Sequence, residues 1–161
     1  MFNKYFIEIK WGIIFALMTL AWVTLERLAG FHDVRIEQHM VVTNLISIPA
    51  VAIFVFALLD KKRNYYNGQM TYLQGFVSGL IVSLVVTLLS PLTQSIVSYV
   101  ITPDFFDNFI QYSVESGKKT LEEAQAYFNN KSYVIQGLIG APVMGIITSA
   151  VVAIFTKTRK K

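Results

Sequence analysis

A chain of 161 residues with 54% hydrophobic content and positive mean hydropathy has room for one domain and is too apolar for an ordinary soluble one. Its net charge of +4 does not point to nucleic acid, because the basic residues sit at the edges of apolar runs, where membrane topology and anionic lipid account for them. The absence of cysteine excludes disulfides, thiolate nucleophiles, iron–sulfur ligation and thiol redox chemistry.

Crossing a hydrocarbon core takes roughly 20 residues of helix with almost no charge, and four runs meet that condition. The first is uncharged from Trp11 to Leu25 and extends to about 6–28 if Glu8 and Lys10 reach out to the headgroups. A basic N-terminus before such a run also describes a signal peptide, but Thr19 and Ala21 offer a poor cleavage site, so a retained span is expected. The loop that follows, ERLAGFHDVRIEQH, carries both histidines of the chain. If it is helical from about Asp33, Asp33 and Glu37 share a face and His32 and His39 lie two turns apart, a set of imidazoles and carboxylates with the chemistry of divalent-metal ligands. No HExxH or comparable signature accompanies them, so the loop is read as solvated, with its carboxylates paired to Arg27 and Arg35, and no metal or other cofactor is assigned.

The second span covers about 40–59 and contains Pro49; the basic turn Lys61, Lys62, Arg63 follows it. The third, about 72–101, is longer than the core requires and holds Pro91 among Ser90, Thr93, Gln94 and Ser95, where a kink or an exit is expected. The fourth covers about 132–156 and contains Pro142. Small residues recur every four positions along the last two spans: Gly75, Gly79, Ser83 and Thr87 in one, Gly137, Ala141, Gly145, Ser149 and Ala153 in the other. That spacing builds a seam along which two backbones approach closely. Trp11, Tyr65, Tyr66 and Tyr72 are expected at the inner membrane edge, Tyr99 and Tyr133 at the outer one.

Between the third and fourth spans, residues 103–130 read as an amphipathic helical hairpin. Thr102 is placed as a cap and Pro103 at the first helical position. Phe105, Phe106, Phe109, Ile110 and Tyr112 then fall on one arc, opposite Asp104, Asp107, Asn108, Gln111 and Glu115. Gly117 ends this helix, the capping box Thr120 to Glu123 opens a second, and Asn129 and Asn130 close it. An acidic outer face gains nothing from anionic lipid, so the apolar face is expected to rest on the ends of the protein's own spans.

Of the fourteen Lys and Arg residues, nine lie at the termini or in the 61–63 turn, including Lys157, Arg159, Lys160 and Lys161. The positive-inside rule therefore places both termini in the cytoplasm and the hairpin outside. Apart from Glu26 at the end of the first span, no titratable residue is expected at membrane depth; Asn44, Gln94 and Gln136 are the strongest polar candidates there. Neither a proton pathway nor a nucleophile with its base is visible.

The run GFVSGLIVSLVVTLL, the junction VITPDFFDNF, the TLEEA segment and the closing APVMGIITSAVVAIFTKTRKK resemble the family called domain of unknown function 4199, over roughly residues 40–161. The resemblance implies a small four-span bacterial membrane protein and carries no activity or site residue with it. The expectation is an all-α single domain of four transmembrane helices in a bacterial inner membrane, non-enzymatic, acting as an accessory or interaction component. An oligomeric small-solute transporter or channel is the alternative. Its partners are the lipid bilayer and either further copies of itself or another membrane protein.

Overall fold

The structure, a computed structural model, describes residues 2–158; Arg159, Lys160 and Lys161 of the basic tail lie outside them. The fold is all-helical. Helix α1 spans Phe2–Leu28, α2 His39–Asn44, α3 Ser47–Asn64, α4 Tyr72–Ile96, α5 Phe105–Glu115, α6 Leu121–Tyr127 and α7 Asn130–Thr156. Four helical segments are long and apolar enough to cross a membrane: Lys4–Leu28, Ile36–Asn64, Tyr72–Ile101 and Asn130–Thr156. Leu17, Leu88, Leu92, Ile139 and Phe155 stand exposed around them, a coat of large apolar side chains that suits lipid and not water.

Helix α4 is central, with α7 and α1 packed along it and α3 laid across all three. The α4–α7 contact is the seam of small residues. The two helices run antiparallel, Gly75 against Ala153, Gly79 against Ser149, Ser83 against Gly145 and Ser90 against Gly137. A Cβ built at Gly79 would lie 2.6 Å from Ser149 Cβ and 3.2 Å from its Cα. No ordinary side chain fits there, so glycine is what lets these backbones meet and accumulate dispersion contacts.

Proline is accommodated without ending the long helices. Pro91 cannot bond the carbonyl of Thr87, and Ser90 Oγ donates to that oxygen instead at 2.9 Å. The second span is interrupted ahead of Pro49, at Leu45–Ile46 between α2 and α3, which leaves Pro49 in the first turn of α3, where a missing N–H costs little. Helix α4 continues past Pro91 into a wider π turn at Val97–Ile101.

The expected escape of Glu8 to the headgroups is not what the structure has. Glu8 is 1% exposed and Lys61 2% exposed, joined at 2.9 Å across α1 and α3, and Ser78 Oγ donates to Glu8 at 2.8 Å from α4. Lys61 Nζ also donates to the carbonyl of Lys4 and stands 3.9 Å from the centre of the Tyr65 ring. Three helices thus share one desolvated ion pair near the termini. Lys10 likewise pairs with Asp60, which also accepts from Trp11 Nε1 at 2.7 Å. Above these pairs lies an apolar core of Phe54, Leu58, Met70, Val82, Val152 and Ala153.

A second core, Phe105, Phe109, Ala124 and Phe128, lies at the opposite end, where α5 and α6 form the hairpin. Phe106 and Ile110 are half-buried beside it, whereas Leu121 is exposed. Gly117 ends α5 with φ of +67°, a conformation glycine adopts without steric cost. The Thr120 box is formed; its backbone N–H and hydroxyl both donate to Glu123, which holds that carboxyl below the usual carboxylate range. Asn129 both closes α6 and opens α7: its Nδ2 donates to the Gln125 and Ala126 carbonyls at 3.0 and 2.9 Å, and its Oδ1 accepts from Ser132 N–H at 2.9 Å.

Candidate ligand pocket beneath the helical hairpin

Three polar side chains converge under α5. Glu26 comes from the last turns of α1, His32 from the turn after it, and His39 from the start of α2; they are 3%, 3% and 9% exposed. The chain folds back between the first two because Gly30 adopts φ of +80° and its carbonyl accepts from Arg35 N–H at 2.8 Å. His32 Nε2 lies 3.4 Å from Glu26 Oε2, and Trp22 Nε1, one helical turn earlier, donates to Glu26 Oε1 at 2.7 Å. On the other side of the ring, His32 Nδ1 is 3.2 Å from Thr102 Oγ1. One ligand atom from each of Glu26, His32 and His39 lies within 4.8 Å of the others. His39 Nδ1 is buried and has no hydrogen-bond partner.

The hairpin forms the roof. Phe105 meets the His32 and His39 rings edge-on at 5.0 and 5.2 Å between centres, and Phe109 meets His39 at 5.0 Å. Asn108 Nδ2 donates to the His32 carbonyl at 2.9 Å, and Arg27 donates to the Ile101 carbonyl. The apolar face of α5 therefore rests on the protein itself, at the histidines. A cavity of about 160 Å³ remains beneath it, bordered by the three polar residues together with Thr43, Gln94 and Thr102.

Several expected assignments change. Asp33 and Glu37 are exposed and do not join the histidines, because residues 31–38 form turns and a short 3₁₀ segment and not the α-helix that would align them. Glu26 takes their place. Thr102 does not cap α5, whose flanking residue is Asp104 with no side-chain bond; its hydroxyl faces His32. Tyr133, in the first turn of α7, sets its ring 5.1 Å from Phe106 under the hairpin. Of the polar span residues, Gln94 borders the pocket and donates to Ser98 Oγ at 2.9 Å, while Asn44 and Gln136 are exposed.

Further along the bundle lie a cavity of about 220 Å³, which shares Val23, Gln94, Val97 and Tyr133 with the first, and one of about 280 Å³, which shares Phe15, Val86 and Ala141 with the second. The hydroxyls of Thr19, Ser90 and Thr93 in the middle cavity are spent on carbonyls of their own helices, and the third is lined mainly by apolar side chains such as Phe15, Phe54 and Met144, with Ser47, Ser83 and Thr148 among them. Beyond it, the helices close at the seam and at the Glu8–Lys61 pair.

Comparison with known families adds one finding. The model of the family described as Protein of unknown function (DUF4199) matches residues 10–158, which takes in nearly all of the first span as well as the segments from residue 40 onward. Comparisons with curated proteins and with solved structures return no match. A match of that extent makes this chain, with its four apolar helices able to span a membrane, a member of the DUF4199 family.

Proposed function

We propose that this protein is a non-enzymatic binding component of a bacterial inner membrane, which holds a small polar ligand under its hairpin and does not conduct it. The observation that carries the reading is the shape of the interior. A polar pocket under Phe105 gives way to apolar cavities and then to a seam with no room for a side chain. A solute leaving Glu26 toward the termini would meet few polar groups to replace its water, Gln94 and the Thr148 hydroxyl among walls otherwise apolar or already hydrogen-bonded, and that desolvation is costly.

Thr102, His32 and Glu26 stand in the order of nucleophile, base and carboxylate. Of the amides beside that hydroxyl, Thr102 N–H donates to Val97 O at 2.8 Å, Phe105 N–H donates to Thr102 O at 3.2 Å and Pro103 has none, which leaves the Asp104 N–H alone and no converging pair. They offer no oxyanion hole, and this supports binding over catalysis. The distribution of Lys and Arg supports cytoplasmic termini with the hairpin on the other face.

Reconstitution into liposomes tests the reading. Protein-containing vesicles are expected to release K⁺, Zn²⁺ or glycerol no faster than empty ones. Flux that depends on protein and disappears in Gln94→Leu would overturn it in favour of an oligomeric transporter.

A further inference from the structure

We propose that Glu26, His32 and His39 form a binding site for a divalent transition-metal ion of the Zn²⁺ class. This deepens the binding reading above and rests on it. Two imidazoles and one carboxylate make a mixed nitrogen and oxygen donor set that suits Zn²⁺ and its borderline neighbours; Ca²⁺ and Mg²⁺ are taken by oxygen ligands.

Two of the three ligands are arranged with one atom held and one atom left for an ion. Trp22 occupies Glu26 Oε1 and leaves Oε2; Thr102 occupies His32 Nδ1 and leaves Nε2. A ligating histidine whose other ring nitrogen is fixed by a neighbour is the usual arrangement around a protein-bound metal, because the neighbour sets tautomer and ring orientation. The two free atoms lie 3.4 Å apart. That is long for a charge-assisted hydrogen bond and matches the separation of about 3.3 Å between ligands on a tetrahedral ion bound at about 2.0 to 2.1 Å.

The third ligand carries the independent observation. His39 Nδ1 is buried without a partner, and an unmet polar atom in such a place is costly unless something binds it. The three ligand atoms fall within 4.8 Å of one another, so closing on an ion takes a small swing of the His39 ring, for which the adjoining cavity of about 160 Å³ leaves space. Charge favours the same occupant. With Arg27 turned to the Ile101 carbonyl, Glu26 has no Lys or Arg partner among the described residues, and a divalent cation neutralises it.

The test uses full-length protein purified on a tag without histidine and placed in nanodiscs. After exposure to Zn²⁺ and removal of free ion, elemental analysis is expected to find one ion per chain, and Co²⁺ is expected to give the absorption bands of a four-coordinate site. Mg²⁺ and Ca²⁺ are not retained. Glu26→Gln and His39→Gln lower Zn²⁺ affinity by at least about tenfold. Thr102→Val, which keeps the volume and removes only the oxygen that orients His32, weakens it by about 10- to 100-fold. Asp33→Asn and Glu37→Gln leave it unchanged. Wild-type protein that melts cooperatively yet retains neither Zn²⁺ nor Co²⁺ would overturn the site, as would retention that survives Glu26→Gln and His39→Gln unchanged. Liposome flux with metal retention intact would instead remove the non-conducting reading alone.

Discussion

Glu8→Ala is expected to lower the stability of the detergent-solubilised protein by about 3 to 5 kcal/mol, the cost of leaving one partner of a buried ion pair uncompensated. Lys61, 2% exposed and surrounded by α1, α3 and the Tyr65 ring, has no route to water when the carboxylate is removed. Lys61→Ala should cost as much, because Glu8 keeps only the Ser78 hydroxyl. The double variant Glu8→Met with Lys61→Met should recover most of the loss, since it buries no charge at all. Unfolding titrations in mixed micelles on the two single alanine variants, the two single methionine variants and the methionine double give the coupling directly. Single methionine losses that simply add in the double would mean that the two charges do not depend on one another.

Gly145→Leu is expected to cost about 1 to 3 kcal/mol through overpacking, while Ile147→Leu, half exposed on another face of α7, changes little. The site is specific enough for a rescue. A Cβ at position 145 collides with Ser83 Oγ and Cβ, so Gly145→Ala should be destabilising alone and recover when combined with Ser83→Gly, which removes both atoms. Melting temperatures of the three variants settle the point, and equal tolerance of Gly145→Leu and Ile147→Leu would remove the close contact from the account.

The parts of this fold that were legible in the sequence are those written with a period or a long run. Uncharged stretches mark the spans because a charge in hydrocarbon is costly. The four-residue spacing of Gly137, Gly145 and Ser149 marks the seam because it repeats close to a helical turn. The hairpin was readable from the segregation of Phe105 and Phe109 against Asp104 and Asp107.

What was not legible depends on residues brought together from different elements. Glu8 and Lys61 are 53 positions apart, and an isolated carboxylate near the N-terminus reads as a headgroup contact until its partner is known. Asp33 and Glu37 looked as suitable beside the histidines as any carboxylate, because an assumed α-helix aligns them; the turn at Gly30 turns them outward and brings Glu26 in. One signal was available. Glu26 closes an otherwise charge-free run one helical turn after Trp22, a place where a carboxylate gains an indole donor. Thr102 before Pro103 has the look of a cap, and only its 3.2 Å approach to His32, 70 positions away, shows otherwise.

The central claim is that the hairpin closes a pocket on the side of the membrane away from the termini, and thiol labelling measures this directly because the chain has no cysteine of its own. Single cysteines replace Gly117 on the exposed hairpin turn, Thr102 in the pocket wall at 4% exposure, and Asn67 in the turn before α4. A membrane-impermeant maleimide is then added to spheroplasts. The account predicts rapid labelling at Gly117→Cys, none at Thr102→Cys until the protein is unfolded in detergent, and none at Asn67→Cys until the membrane is opened. Labelling of Thr102→Cys as fast as Gly117→Cys would show that the hairpin leaves the pocket open, and labelling of Asn67→Cys in sealed spheroplasts would reverse the orientation.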